Sequence, residues 1–238
     1  MKSSYKKGLN LMELLITLVI SSILLIGAID MTAFLFNQNV TFNNDVQAMQ
    51  SKTISAERIT TKIREAASRY DNGIVITLPV EGASVQVTTG NESIAVFVPK
   101  FDSSGNVEQP TSSTTSFNGI AFSIIPEADW NGESSGKYVL IETNYDVNLA
   151  TAANDPLKIT ESLPNNWSGG QSYLIAKDFV PANLSTMGIK AFDVQDDLVT
   201  FAFVPTPDAI YFASSDGAEN IDDKAYLTAV NLRNYRRP

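Results

Sequence analysis

Cysteine and histidine are both missing from the 238 residues. Without Cys the chain has no disulfide, no thiolate metal site and no Cys nucleophile. Without His it lacks the commonest general base and the commonest protein metal ligand. Positive charge is scarce as well: 17 Lys and Arg stand against 26 Asp and Glu, a formal charge of −9. A surface that tracks phosphates needs clustered Lys and Arg, so direct nucleic-acid binding is not expected. Carboxylates, Lys and Tyr remain for catalysis, a thin inventory, and the chain does not read as an enzyme. Hydrophobic residues at 44% and charged residues at 18% fit a globular chain, long enough for one good-sized domain and an accessory segment.

What is present in excess is apolar sequence near the start. Met1 to Gly8 carries Lys2, Lys6 and Lys7 and no acid, and from Leu9 to Phe36 the only charges are Glu13 and Asp30. Leu14 to Ile29 is an uncharged run that spans roughly 24 Å as helix. With Leu11, Met12 and Met31 to Phe36 added, it is long enough for a hydrocarbon core of about 30 Å. The lysines place the N-terminus in the cytoplasm and everything after Asp30 outside. A secretory signal would end in a small-residue cleavage site and polar mature sequence. Here the apolar run continues into Ala33, Phe34, Leu35 and Phe36. A plain membrane anchor leaves Glu13 unexplained, because a carboxylate inside the bilayer costs about 2.5–3.5 kcal/mol.

Lys6-Lys7-Gly8-Leu9-Asn10-Leu11-Met12-Glu13-Leu14-Leu15 resembles the class III signal of bacterial prepilins. In that family a prepilin peptidase cuts after the Gly, the new N-terminal residue is N-methylated, and an acid at the fifth mature position precedes the hydrophobic helix. The resemblance implies cleavage between Gly8 and Leu9 and an assembly role for Glu13. Leu9 and Asn10 depart from the usual Phe and Thr. It further implies a single pass through the cytoplasmic (inner) membrane, then a place in a filament. The implied partners are the peptidase, an assembly platform, membrane lipid and other pilin or pseudopilin subunits. The machine would be a type IV pilus, a type II secretion pseudopilus or a competence pilus. The other class is a single-pass membrane-anchored extracytoplasmic domain, for binding or catalysis, that never enters a filament. N-terminal sequencing separates the two.

Beyond the membrane, Phe42, Val46, Met49, Thr53, Ala56, Thr60, Ile63, Ala67 and Tyr70 recur four and three apart. This stripe predicts one helix from about Leu9 to Tyr70, stopped by Asp71-Asn72-Gly73. Its C-terminal half is expected to pack on its own domain's sheet, and Phe42, Val46 and Met49 on neighbouring subunits. Period-two runs then predict strands at 74–80, 84–88, 93–99, 117–125, 137–145, 171–179, 189–194, 198–204, 209–213 and 225–232. Residues 102–116, 146–170 and 205–223 read as long loops, and 127–136 as a turn. The expected fold is α+β and pilin-like, with a long N-terminal helix on a single antiparallel sheet domain. Its parts are a leader at 1–8, a transmembrane and assembly helix at 9–36, the rest of that helix at 37–72, and the β-rich domain at 73–238.

The Ser55-to-Gly73 stretch, the strand pair around Asp196-Asp197 and the ending Tyr226-Leu227-Thr228-Ala229-Val230-Asn231-Leu232-Arg233-Asn234 resemble J-type minor pseudopilins and W-type minor pilins, which implies a minor subunit. Asp216, Glu219, Asp222 and Asp223 surround Gly217 and offer oxygens to Ca²⁺. Their spacing is not that of an EF-hand loop, and a solvated acidic loop is the plainer reading, so no cofactor is expected. Trp130 and Trp167 are expected to cover the sheet.

Overall fold

The computed structural model describes residues 11–133, 136–179, 190–196, 198–203 and 226–231. The chain divides into two compact units, Met1–Gln47 and Ala48–Pro238. Helix α1 covers Leu11–Glu65, and its first part is all that is described of the first unit. The second unit holds the end of α1 and the strands. These are β1 Ser68–Arg69, β2 Val75–Val80, β3 Ala83–Thr88, β4 Ser93–Pro99 and β5 Thr114–Pro126. A short helix α2, Glu127–Asn131, leads to β6 Tyr138–Ala152, β7 Asp155–Ile159 and β8 Gln171–Phe179. Then come β9 Phe192–Gln195, β10 Leu198–Phe203 and β11 Tyr226–Asn231. The architecture is α+β, with every strand pair antiparallel.

The helix stops five residues before Tyr70. The N–H of Ala67 donates to Phe97 O at 2.9 Å and that of Tyr70 to Ala95 O at 3.1 Å. Ser68 and Arg69 therefore lie beside Phe97 and Val96 as a strand. Open carbonyls on β4 satisfy these backbone groups as well as a further helical turn would. Gly73, at φ +86°, turns the chain between β1 and β2 and caps no helix. The stripe is corrected too. Of its members Ala56, Ile63, Ala67 and Tyr70 are buried, whereas Thr53 is exposed and Thr60 half-buried, and Ser55, Ile59 and Ala66 are buried beside it.

Among the described residues the expected antiparallel sheet domain is built from three sheets. One has the order β1-β4-β5-β6-β7 with β8 also on β6, another β11-β10-β9, and the third is the β2-β3 hairpin. The stretch read as a loop at 146–170 holds the second half of β6 and all of β7. The turn at 127–136 contains α2, closed by Gly132 at φ 80°, whose N–H reaches Ala128 O. The strand expected at 209–213 lies outside the described residues.

β4, β5 and β6 carry apolar residues on both faces. Ile94, Val96, Ile120, Phe122, Ile124 and Leu140 join Ala56, Ile59 and Ile63 of α1 and Phe192, Phe201 and Val230 of the three-stranded sheet. On the other face Ala95, Phe97, Phe117, Ala121, Val139 and Ile141 meet Ile76, Leu78 and Trp167. Burial on two sides is why these strands read as near-continuous apolar runs. Each fully buried Phe or Ile contributes about 1.5–3 kcal/mol. Trp167 lies in the core and Trp130 packs against it, as expected of sheet-covering residues.

Candidate functional site

Leu11–Val40 is the segment of α1 in which the sequence places function. It has a mean hydropathy of 2.4 and none of it is buried. Leu24 and Phe36 are 68% and 69% exposed. At 1.5 Å per residue these 30 residues are about 45 Å long, enough to cross a bilayer. An aliphatic helix exposed all round, apolar on every side, requires an apolar solvent or other helices. Its hydroxyls fit such a setting. Thr17 Oγ1 donates to Glu13 O at 2.6 Å, Ser22 Oγ to Leu18 O at 2.8 Å and Thr32 Oγ1 to Ala28 O at 2.7 Å. Each proton is taken by the helix's own backbone, which removes the cost of leaving it unpaired in hydrocarbon. Glu13 lies near the start of the described part of α1.

Gly8 and Leu9 lie outside the described residues, as do Asp216, Glu219, Asp222 and Asp223. Phe42 is 66% exposed and Val46 half-buried. Met49 belongs to α1, but its side chain is outside the described set. Burial against the sheet begins only at Ser55 and Ala56. Among the described residues no three carboxylates converge as metal ligands.

The second unit carries polar groups that the sequence reading missed. Glu142 on β6 is only 2% exposed and receives Arg58 of α1 through two hydrogen bonds, Arg58 Nη2 to Oε1 at 3.0 Å and Arg58 Nε to Oε2. The hydrogen bond to Glu142 raises the Arg58 guanidinium above its usual range. The pair pins the last turns of α1 to the sheet. Glu142, Asn144, Asp146 and Asn148 alternate with Thr143, Tyr145, Val147 and Leu149 along β6. That period of two was visible in the sequence and went unread beyond Tyr145. At the end of this row a shallow groove of 300 Å³ is lined by Lys100, Glu108, Ser116, Asp146 and Asn148. Lys100 already holds Asp146 at 2.8 Å, and Ser116 holds Asn148 at 2.8 Å.

Two clasps fix the turn after β1. Asn72 Nδ2 donates to Asp193 Oδ1 and to Val194 O, both at 3.0 Å, and Asn72 Oδ1 accepts from Val194 N at 3.2 Å. Burial pushes the Asp193 carboxyl up, but hydrogen bonds from Gln195, Lys190 and Asn72 outweigh it and hold it below the usual range. Arg69 donates to Asp196 O at 2.6 Å and to Asp71 Oδ1 at 2.7 Å. Tyr70 sits among Phe97 and Trp167, and its hydroxyl donates to Pro164 O. Burial pushes it up to about 12, against a smaller opposite effect of the Trp167 hydrogen bond. Asp102 accepts from the N–H of Asn106 at 2.9 Å and of Ser104 at 2.8 Å, which holds its carboxyl below the usual range. All these contacts shape turns and join strands.

Comparison with protein-family models, with curated proteins and with solved structures finds no match. Function is therefore read from the chain's own residues. Its chemistry is that of a long apolar helix with two acids, joined to a sheet unit whose polar groups largely satisfy one another.

Proposed function

We propose that the chain is a prepilin-type filament subunit, inserted by α1 in the cytoplasmic membrane and assembled after cleavage between Gly8 and Leu9. The observation that carries the reading is Leu11–Val40, apolar and exposed over its whole length, directly after Lys6-Lys7-Gly8 and with Glu13 near its start. The antiparallel sheet on which the last turns of α1 pack supports a pilin-like fold. In such a subunit the basic leader holds the N-terminus in the cytoplasm, and the helix waits in the bilayer until drawn into a helical bundle. Glu13 then needs a cation, and the amine freed at Leu9 of an adjacent subunit supplies it. A buried pair of this kind sets register more than it adds stability. The ending after Val230 favours a minor subunit that primes or tips the filament.

The test is the intact mass and N-terminal sequence of the protein taken from its native membrane. Loss of Met1 to Gly8 with a methylated Leu9 is the expected result. An intact N-terminus would replace this reading with that of a membrane-anchored extracytoplasmic binding domain.

A further inference from the structure

Asp30 is the acid that the reading above leaves without a role. It lies inside the apolar stretch Leu11–Val40 and is exposed. Its neighbours one turn away on α1 are Ile26, Gly27, Ala33 and Phe34, none of them a donor. Thr32, close by, spends its hydroxyl proton on Ala28 O. From Leu9 to Ser51 the sequence has Glu13, Asp30 and Asp45 but no Lys or Arg. Asp30 stands near the outer end of the span, where headgroups reach it, so the need for a partner arises once α1 is drawn into an apolar helix bundle, where an unpaired carboxylate is expensive.

The same turns of α1 have room for a close neighbour. A shallow groove of 520 Å³ is lined by Ala28, Ile29, Thr32, Ala33, Phe36 and Asn37. Small side chains let a second helix approach closely, and a polar contact then holds it.

Charge complementarity identifies the neighbour. A second copy lying parallel and level would set Asp30 against Asp30. The one cation such a copy can bring to the bundle is the amine freed at Leu9, and Glu13 already takes it. We propose that the turns around Asp30 seat a helix from a different chain, one that carries a Lys or Arg within its own apolar segment and pairs it with Asp30. This rests on the reading of Leu11–Val40 as a membrane-inserted assembly helix. It adds the chemistry that selects the partner.

The experiment uses the full chain in liposomes at neutral pH, labelled at a single introduced Cys, since it has none of its own. The probes are fluorescent Leu/Ala helices of about 20 residues. One carries a single Lys at the depth of Asp30, one a Lys near the opposite interface, one Leu and one Glu at the first depth. The level Lys probe should associate about tenfold more strongly than the Leu probe by energy transfer. Asp30→Asn should abolish that preference and Glu13→Gln should leave it intact. Equal association of the Lys and Leu probes overturns the proposal. So does loss of the preference in Glu13→Gln but not in Asp30→Asn, association of the chain with itself alone, or a helix covered only by lipid. An uncleaved N-terminus in the native membrane, with the Lys preference intact, would remove the filament reading and leave this pairing standing.

Discussion

Gly119 lies in the middle of β5 beneath Trp167. A Cβ there would stand 3.0 Å from Trp167 Cη2 and 3.1 Å from Phe97 Cε1. Both rings are fully buried and have little room to retreat. Gly119→Ala should destabilise the sheet unit by about 1–3 kcal/mol, and the melting temperature of the detergent-solubilised chain should fall accordingly. An unchanged melt would show that Trp167 moves aside freely. Tyr70 makes a pH prediction. Its hydroxyl titrates near 12 in the folded chain, against 10.0 for an ordinary Tyr. The unfolded chain therefore ionises first, and the stability held by the neutral hydroxyl is intact below pH 10 and lost between about 10 and 12. Two units correspond to about 3 kcal/mol. Alkaline denaturation, followed beside the 295 nm tyrosinate signal, should lose this component in Tyr70→Phe. An identical alkaline profile in the variant would remove Tyr70 as its source.

Strand β11 shows how a short element can matter beyond its length. It pairs with β10 from Leu198 opposite Asn231 to Phe203 opposite Tyr226, and Val230 is buried in the core beneath α1. Deleting Tyr226 to Pro238 should unfold the sheet unit or lower its melting temperature sharply, because a ladder and part of that core go together. A truncated chain that melts with the parent would contradict this. On α1, Phe42 is exposed and Val46 half-buried, and both lie before the sheet-packed turns. Val46→Lys with Met49→Lys should block filament assembly while leaving membrane insertion and the far-UV spectrum unchanged; normal assembly would show that this stretch is no interface. The elements most legible in the sequence were those with an unambiguous period. β4 and β8 have the ends that alternation assigns them, and β9–β10 forms the expected hairpin around Asp196. The end of α1 was not legible. Ala67 and Tyr70 continue its period as well as any helix residue, and only the carbonyls of β4, distant in sequence, turn them into strand. Ile59 was missed because the four-three count steps from Ala56 to Thr60, while Ala56 and Ile63 on the same count are buried. The second half of β6 was hidden by its polar residues, whose apolar alternates Tyr145, Val147 and Leu149 look inward.

For the whole molecule the filament reading makes one demand above the others. Glu13→Val should leave cleavage and membrane insertion intact and remove the protein from sheared or purified filaments, measured by quantitative blotting against the parent in the same strain. Incorporation at the parental level would take the assembly role away from Glu13. The apolar span was legible at once, because hydropathy depends on composition and not on tertiary contacts. The Arg58–Glu142 pair was not, since the two residues are 84 apart and nothing local marks them as partners.

The central strands have a consequence for isotope exchange. Residues Phe117–Ser123 of β5 lie between the two apolar clusters and pair with β4 on one side and β6 on the other. No local fraying brings their amides to solvent, so their deuterium uptake must wait for the whole unit to open. Their exchange rate therefore measures the global unfolding equilibrium, while β3, paired among the described residues only with β2 and largely exposed, takes up label sooner.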